Sequence, residues 1–348
     1  MTTPPIRVLV VDDSAFVRKT VRQMLTRDGD IEVVATARDG EEALELAETL
    51  RPDVVTTDLI MPGMDGAEFT RQLMARRPTP IVVVSIASAS HERVLAALEA
   101  GAVDFTRKPT ALATDKVLEI QDELVRKVRS AAQQSAPRPL ASPSTESAAD
   151  ELPGRLYRKS FDIVVIGIST GGPQALRSLI PRLPVDLPVP VLIVMHMPVG
   201  YTEAYARRLG ELSHLKVKEA ADGDLLQSGQ VLLARAGYHL RISRNGAGRI
   251  AALLDWEPAS SLHRPSIDVL FRSAVDVWGG RVLGVVMTGM GADGREGAAW
   301  IKSAGGTVLT EAEDSCVVYG MPRSVVEAGL SDASCTLEAM PRAILELL

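Results

Sequence analysis

The stretch VVIGISTGGPQAL, Val164–Leu176, decides how this chain is read. An apolar run breaks off in Gly167, Ser169, Gly171 and Gly172, and an amphipathic run follows from Pro173. Apolar strand, glycine turn and helix make the start of a βα unit whose strand is buried on both faces, as in a parallel sheet. Glycines at such a turn either cradle a phosphate or expose a reactive side chain. The dinucleotide fingerprint G-x-G-x-x-G needs glycine two positions after the first. Ser169 stands there instead, and its side chain obstructs pyrophosphate. No acid closes the next strand about 20 residues on, as that fingerprint expects; His196 ends it. The same residues fit G-x-S-x-G with the serine as nucleophile. That short pattern gains weight only with a base and an orienting acid at neighbouring strand ends.

Of the five histidines, His196 alone sits at the carboxyl end of a central apolar strand, VPVLIVMHM. His91, His214, His239 and His263 fall in the first domain, in a polar connection, in the middle strands and before a helix. The segment RVLGVVMTGMGADGREGAAW repeats strand, glycine turn and helix, with Asp293 in the turn. Asp293 reads either as the N-cap of the helix that follows or as the acid that fixes the tautomer of His196. Backbone N–H groups of the turn, such as that of Met290, can form an oxyanion hole. The order Ser, His, Asp differs from that of α/β-hydrolases, which points to a separate fold.

Upstream, residues from Ile6 to about Arg129 hold five strand–helix units. Ligands of open α/β sheets bind outside the carboxyl ends of the strands. There the first strand ends in Asp12 and Asp13, the third in Asp58 and the fourth in Ser85, and Lys108-Pro109 follows the fifth. Three adjacent carboxylates repel unless a cation neutralises them, and oxygen ligands suit Mg²⁺. A carboxylate can also accept a phosphoryl group, with Lys108 and Ser85 serving its oxygens. The charged last helix, about Lys116 to Ser130, is expected to extend away from the domain. Residues 131–156 are rich in Ala, Ser and Pro without periodicity and read as a linker. The expected fold class is α/β, with two doubly wound parallel-sheet domains, 1–130 and 157–348. The second carries a small antiparallel insertion drawn from the strands between Gln230 and Asp255.

The 348 residues are 46% hydrophobic and 24% charged, with a net charge of −6. That balance lacks the basic footprint of a nucleic-acid binder. No run approaches the ~20 apolar residues of a membrane span, and MTTPPIRVLVVDDS is no signal peptide. Cys316 and Cys335 have neither metal spacing nor partners for a disulfide framework, so a reducing cytoplasm is expected.

On VDDS (11–14), DLIMPGMDG (58–66) and RKP (107–109), residues 6–126 resemble the receiver domain of two-component response regulators. The resemblance implies that Asp58 accepts a phosphoryl group from a histidine kinase. Asp12, Asp13, Asp58 and the carbonyl of Ile60 would hold Mg²⁺, Ser85 and Phe105 would form the switch pair, and Lys108-Pro109 would be cis. Ile60 and Ile86 depart from the family pattern. On GISTGGPQAL (167–176), MHMPVGYTEAYARRL (195–209), HRPSIDVLFRSA (263–274) and MTGMGADG (287–294), residues 160–346 resemble the chemotaxis protein-glutamate methylesterases. This implies Ser169 as nucleophile, His196 as general base and Asp293 as orienting acid, with Thr170 and His263 lining the site. The implied substrates are glutamate γ-methyl esters, and glutamines, of chemoreceptors. The implied switch has the unphosphorylated first domain packed over the catalytic turn until Asp58 is phosphorylated. Ester hydrolysis needs no cofactor in this reading, and neither nucleic acid nor membrane insertion is involved. The rivals are a non-catalytic regulator with an inert triad and a nucleotide-dependent enzyme.

Overall fold

A computed structural model describes residues 4–85, 91–108, 114–132, 161–244 and 246–348. The chain divides into two units, Met1–Glu146 and Ser147–Leu348. In the first, strands β1 (Ile6–Val11), β2 (Ile31–Ala37), β3 (Val54–Thr57), β4 (Ile81–Ser85) and β5 (Asp104–Arg107) alternate with five helices. These are α1 (Ala15–Leu25), α2 (Gly40–Leu50), α3 (Gly66–Arg76), α4 (His91–Glu99) and α5 (Thr114–Ala132). The all-parallel sheet runs in the order β2-β1-β3-β4-β5. Strands β3 and β4 are buried throughout, as continuous apolar strands between helix layers must be. Ser14, Asp39 and Asp65 cap α1, α2 and α3 by accepting backbone N–H bonds, the expected service of these residue types.

Helix α5 does not leave the domain, contrary to what its charge suggested. Leu124, Val125, Val128 and Ala131 are buried in one cluster with Val8, Val10, Val54 and Val82. The apolar stripe decides its position, and the charges occupy its other faces or find partners. Lys127, for one, pairs with Asp104 at 3.0 Å and Glu123 at 2.8 Å.

The second unit begins with β6 (Ile163–Ile168), α6 (Gly172–Leu179), β7 (Val191–Met195) and α7 (Thr202–Leu212). Next come β8 (Lys216–Glu219), β9 (Gln230–Leu233), β10 (His239–Arg244) and β11 (Ile250–Asp255). The chain closes with α8 (Ile267–Trp278), β12 (Val282–Val286), α9 (Arg295–Ser303), β13 (Thr307–Glu311), α10 (Met321–Glu327), β14 (Ala333–Cys335) and α11 (Met340–Leu347). Seven strands form a parallel sheet in the order β14-β13-β12-β6-β7-β9-β8. Strands β10 and β11 pair antiparallel, as a separate two-stranded sheet. Gln230–Leu233, expected in that insertion, instead lies in the main sheet, parallel to β7 and β8. CVVYG (316–320) is not a strand; it contributes one bridge, Tyr319 to Gly289. The edge strands β8 and β14 escaped the sequence reading because they are short and half exposed. Among the described residues, no helix is long and apolar enough to cross a membrane.

Both sheets change direction once. In the first unit β1 leads outward to β2 on one side while β3 leads to β4 and β5 on the other; in the second, β6 and β12 part in the same way. The crevice outside the carboxyl ends of two such strands is where open α/β sheets bind ligands. Helix α8 packs down on the second crevice through Gly167 of β6. A Cβ at residue 167 would lie 2.4 Å from Ile267 Cγ2. Gly167→Ala should therefore destabilise the second unit by about 1–3 kcal/mol through overpacking, read as a lower urea midpoint for its unfolding.

Candidate active site

Ser169 and His196 come level because two parallel strands end together, although no hydrogen bond reaches His196 Nδ1 among the described residues. Ile168 of β6 pairs with Met195 of β7, and His196 N–H continues the ladder to Ile168 C=O at 3.2 Å. Each residue is then the first beyond its strand, on adjacent strands 4.7–4.9 Å apart in a typical sheet. On the other flank, Ser169 N–H donates to Thr288 C=O at 2.9 Å, beyond the end of β12. The turn after Ser169 requires glycine. Gly171 has φ +81°, and a Cβ there would lie 2.5 Å from Val317 Cβ, so both backbone and space exclude a side chain. Gly289 faces the serine directly, since a Cβ at 289 would lie 2.8 Å from Ser169 Cβ. Met290 follows it on the same turn, half-buried. Thr170 is buried, and its carbonyl accepts Thr288 Oγ1 at 3.0 Å.

The structure brings His196 and Asp293 into direct contact, Nε2 to Oδ2 at 2.8 Å, with side chains only 11% and 8% exposed. Asp293 Oδ2 also accepts Ile267 N–H at 2.8 Å, and Oδ1 accepts Ser266 Oγ at 2.9 Å and Asp268 N–H at 3.1 Å. Burial alone would raise the carboxyl's pKa. The His196 bond and charge, with the N–H groups of Ile267 and Asp268, outweigh it and hold Asp293 well below the usual carboxylate range. An ionised Asp293 accepts only, so Nε2 carries the hydrogen and, in the neutral ring, Nδ1 is the acceptor nitrogen. Nδ1 is buried and has no hydrogen-bond partner among the described residues. The ring of His263 stacks on His196, centroids 4.1 Å apart.

The two readings of Asp293 turn out to be one arrangement. Its carboxylate caps a helix while it binds His196, but the helix is α8, not the α9 that follows it in sequence. Ser266, the N-cap residue of α8, makes no cap bond of its own; its hydroxyl goes to Asp293 instead.

Two nearby acids were not singled out in the sequence. Asp268 Oδ1 accepts Gly294 N–H at 2.9 Å and Gly297 N–H at 2.6 Å. Burial first, then the charge of Asp293, push its pKa up to about 7. Glu311, at 0% exposure, accepts Thr288 N–H at 2.9 Å and Ser315 Oγ at 3.0 Å. It therefore braces the residue whose carbonyl holds Ser169. A carboxyl ending the apolar strand TVLTE was visible by the strand-end rule that picked out Asp58; nothing in the sequence marked Asp268 beyond its place in a helix's first turn.

In the first unit, the oxygens of Asp12, Asp13 and Asp58 lie within 4.8 Å of one another. Lys108 Nζ pairs with Asp12 at 2.8 Å and Asp58 at 2.6 Å. Burial would lower the Lys108 pKa, but the two carboxylates raise it above its ordinary value. Hard carboxylate oxygens so arranged fit a divalent cation such as Mg²⁺. Ser85 Oγ is buried without a hydrogen-bond partner among the described residues, and Phe105 is buried. Ile60 is 38% exposed rather than packed into the cluster. Ile86, Pro109 with the expected cis bond, and residues 133–156 of the expected linker lie outside the described residues, while Ala131 and Ala132, expected to open that linker, instead end α5.

The CheB methylesterase family profile matches residues 164–344, and the response regulator receiver domain profile matches residues 8–118. The chain is 53% identical over 340 residues to protein-glutamate methylesterase/protein-glutamine glutaminase 5 of Myxococcus xanthus, covering 97% of this chain and 96% of that one. It is 48% identical to a protein of the same name, without the numeral, from Symbiobacterium thermophilum, covering 93% and 92%. The CheB methylesterase catalytic domain of Thermotoga maritima, a solved structure, is 40% identical with a TM-score of 0.53, covering 55% of this chain and all of that domain.

Glu311 supplies a stability test. Burial pushes its pKa from 4.5 up to about 7, so the folded chain takes up a proton that the unfolded chain releases. This stabilisation is complete below pH 4.5 and is lost as pH rises through 7. Glu311→Gln has no such proton to lose. Relative to the parent, the variant should gain up to about 3 kcal/mol between pH 4 and pH 8, read from denaturant midpoints at each pH.

Proposed function

The chain belongs to the CheB methylesterase family, and from that premise we propose that it hydrolyses glutamate γ-methyl esters on chemoreceptors and deamidates receptor glutamines. Residues 1–130 form the receiver, 131–156 the linker and 157–348 the catalytic domain in this reading. The observation that carries it is the His196–Asp293 bond at 2.8 Å, which leaves a buried Nδ1, without a hydrogen-bond partner among the described residues, on the residue level with Ser169.

Ser169 Oγ attacks the ester carbonyl carbon as its proton passes to His196 Nδ1. Asp293, ionised and held by three further donors, stabilises the imidazolium. The carbonyl oxygen takes the electron pair and is met by backbone N–H groups, with that of Met290 assigned to this role. The carbon–oxygen bond to methoxide breaks as His196 returns the proton, releasing methanol, or ammonia from a glutamine. Water, deprotonated by His196, then attacks the acyl-enzyme, freeing the glutamate and restoring Ser169. The step draws on no cofactor.

The receiver supplies control. A carboxylate oxygen of Asp58 bonds to phosphorus as the phosphorus–nitrogen bond to a kinase histidine breaks. Lys108 pairs with the phosphoryl oxygens, and the Ser85 hydroxyl donates to one of them, with Phe105 following Ser85 as its switch partner. Asp12, Asp13, Asp58 and the Ile60 carbonyl would hold Mg²⁺, which neutralises the transferred charge when bound. Phosphorylation raises esterase activity. Cytoplasmic action fits two cysteines that form no disulfide.

Methanol release from methylated receptor membranes tests the reading. Ser169→Ala should cut it by at least about 10³-fold; a variant that keeps its rate removes the nucleophile assignment. A small-molecule phosphodonor with Mg²⁺ should stimulate the parent chain, and Asp58→Asn should not respond.

A further inference from the structure

Helices α8 and α9 exchange their N-terminal caps. Neither Ser266 nor Gly294, their own N-cap residues, makes a side-chain cap bond. Asp293, which precedes α9, accepts the N–H groups of Ile267 and Asp268 in the first turn of α8. Asp268, in the first turn of α8, accepts the N–H of Gly294 and of Gly297, the third residue of α9. Each carboxylate thus does for the other helix what a local cap does for its own, where the helix dipole also favours negative charge. The exchange closes a loop of bonds. Asp268 holds the backbone on both sides of Arg295, two residues beyond Asp293, and Asp268's own N–H holds Asp293 Oδ1 at 3.1 Å. The Asp293 carboxylate is held by Ser266, Ile267, Asp268 and His196.

We propose that Asp268 is a positioning residue for the esterase reaction, acting through Asp293 by tying the 293–297 turn to α8 so that Asp293 meets His196 Nε2. It contacts neither Ser169 nor His196 in any bond described above. This rests on the reading of His196 as general base and Asp293 as its orienting acid. Loss of the Asp268 carboxylate leaves two first-turn N–H groups of α9 unpaired and frees the turn to shift. A shift well under 1 Å is enough to slow a reaction that depends on alignment.

The test uses the full chain, with methanol release from methylated receptors as one readout and the downfield imidazole N–H proton resonance of His196 as another. Asp268→Ala should lower kcat about 10- to 100-fold and leave KM within about 2-fold, because the residue is not read as a substrate contact. Asp268→Asn keeps an acceptor oxygen and should recover most of the lost kcat. Coupling is the decisive measurement. Adding Asp268→Ala to Asp293→Asn should cost little beyond Asp293→Asn alone, since residues that act as a unit are not additive. The downfield resonance, present in the parent, should be lost or broadened in Asp268→Ala and kept in Asp268→Asn. Asp268→Ser, too short to span both N–H groups, replaces the alanine variant should that one not fold. The proposal is overturned by a parental kcat in Asp268→Ala, by an unchanged resonance there, or by a full multiplicative loss on the Asp293→Asn background. A parent chain that releases no methanol but loses the resonance in Asp268→Ala would sink the esterase reading and leave the positioning intact.

Discussion

Where the order of strands in a parallel sheet reverses, two neighbours send their chains away on opposite sides and leave a crevice between their carboxyl ends. No connection can fill it. This chain contains the arrangement twice, between β1 and β3 and between β6 and β12. Everything chemically distinctive gathers there: Asp12, Asp13 and Asp58 at one crevice, Ser169 with the Thr288–Gly289 turn at the other. Parallel register then does the fine placement. Because Ile168 and Met195 are paired, Ser169 and His196 come level without any loop having to carry them.

Filling such a crevice with acids has a physical cost, since removing a carboxylate from water is expensive unless partners replace the solvent. Five acids solve this in different ways. Asp58 and Asp12 share the ammonium of Lys108. Asp293 collects four donors and stays ionised. Asp268 and Glu311 also accept donors, yet burial prevails and raises them to about 7. The difference follows from the presence of a cationic or ionisable-to-cation partner. Asp293 has an imidazole that becomes imidazolium; the donors to Glu311, the Thr288 N–H, the Ser315 hydroxyl and the Cys316 thiol, are all neutral.

Much of this was legible before the fold was seen, and the failures are instructive. Strand-end position identified Asp58, Ser169 and His196, because chain direction and period suffice to say which end of a strand a residue occupies. The same rule marks Glu311, which ends the apolar strand Thr307–Glu311. The charges of α5 suggest an exposed helix, but the Leu124–Val128 stripe holds it to the core. As a string, QVLLAR pairs equally well with an antiparallel or a parallel neighbour, and only the sheet decides for the parallel one.

The sequence by itself determined the alternation of strand and helix, the glycine turns that admit no side chain, and the residue types able to act at strand ends. It did so because these depend on local backbone sterics and on hydrophobic period. It left Asp293 with two readings, and it gave Asp268 none. Only the tertiary structure decided that Asp293 caps α8 rather than α9, that Asp268 returns the service, and that His196 Nδ1 is the nitrogen left unpaired. Those facts depend on how two helices, 17 residues apart between Trp278 and Arg295, pack across a sheet. Hydrogen bonds between elements are fixed by packing distance and direction, and no local pattern encodes either.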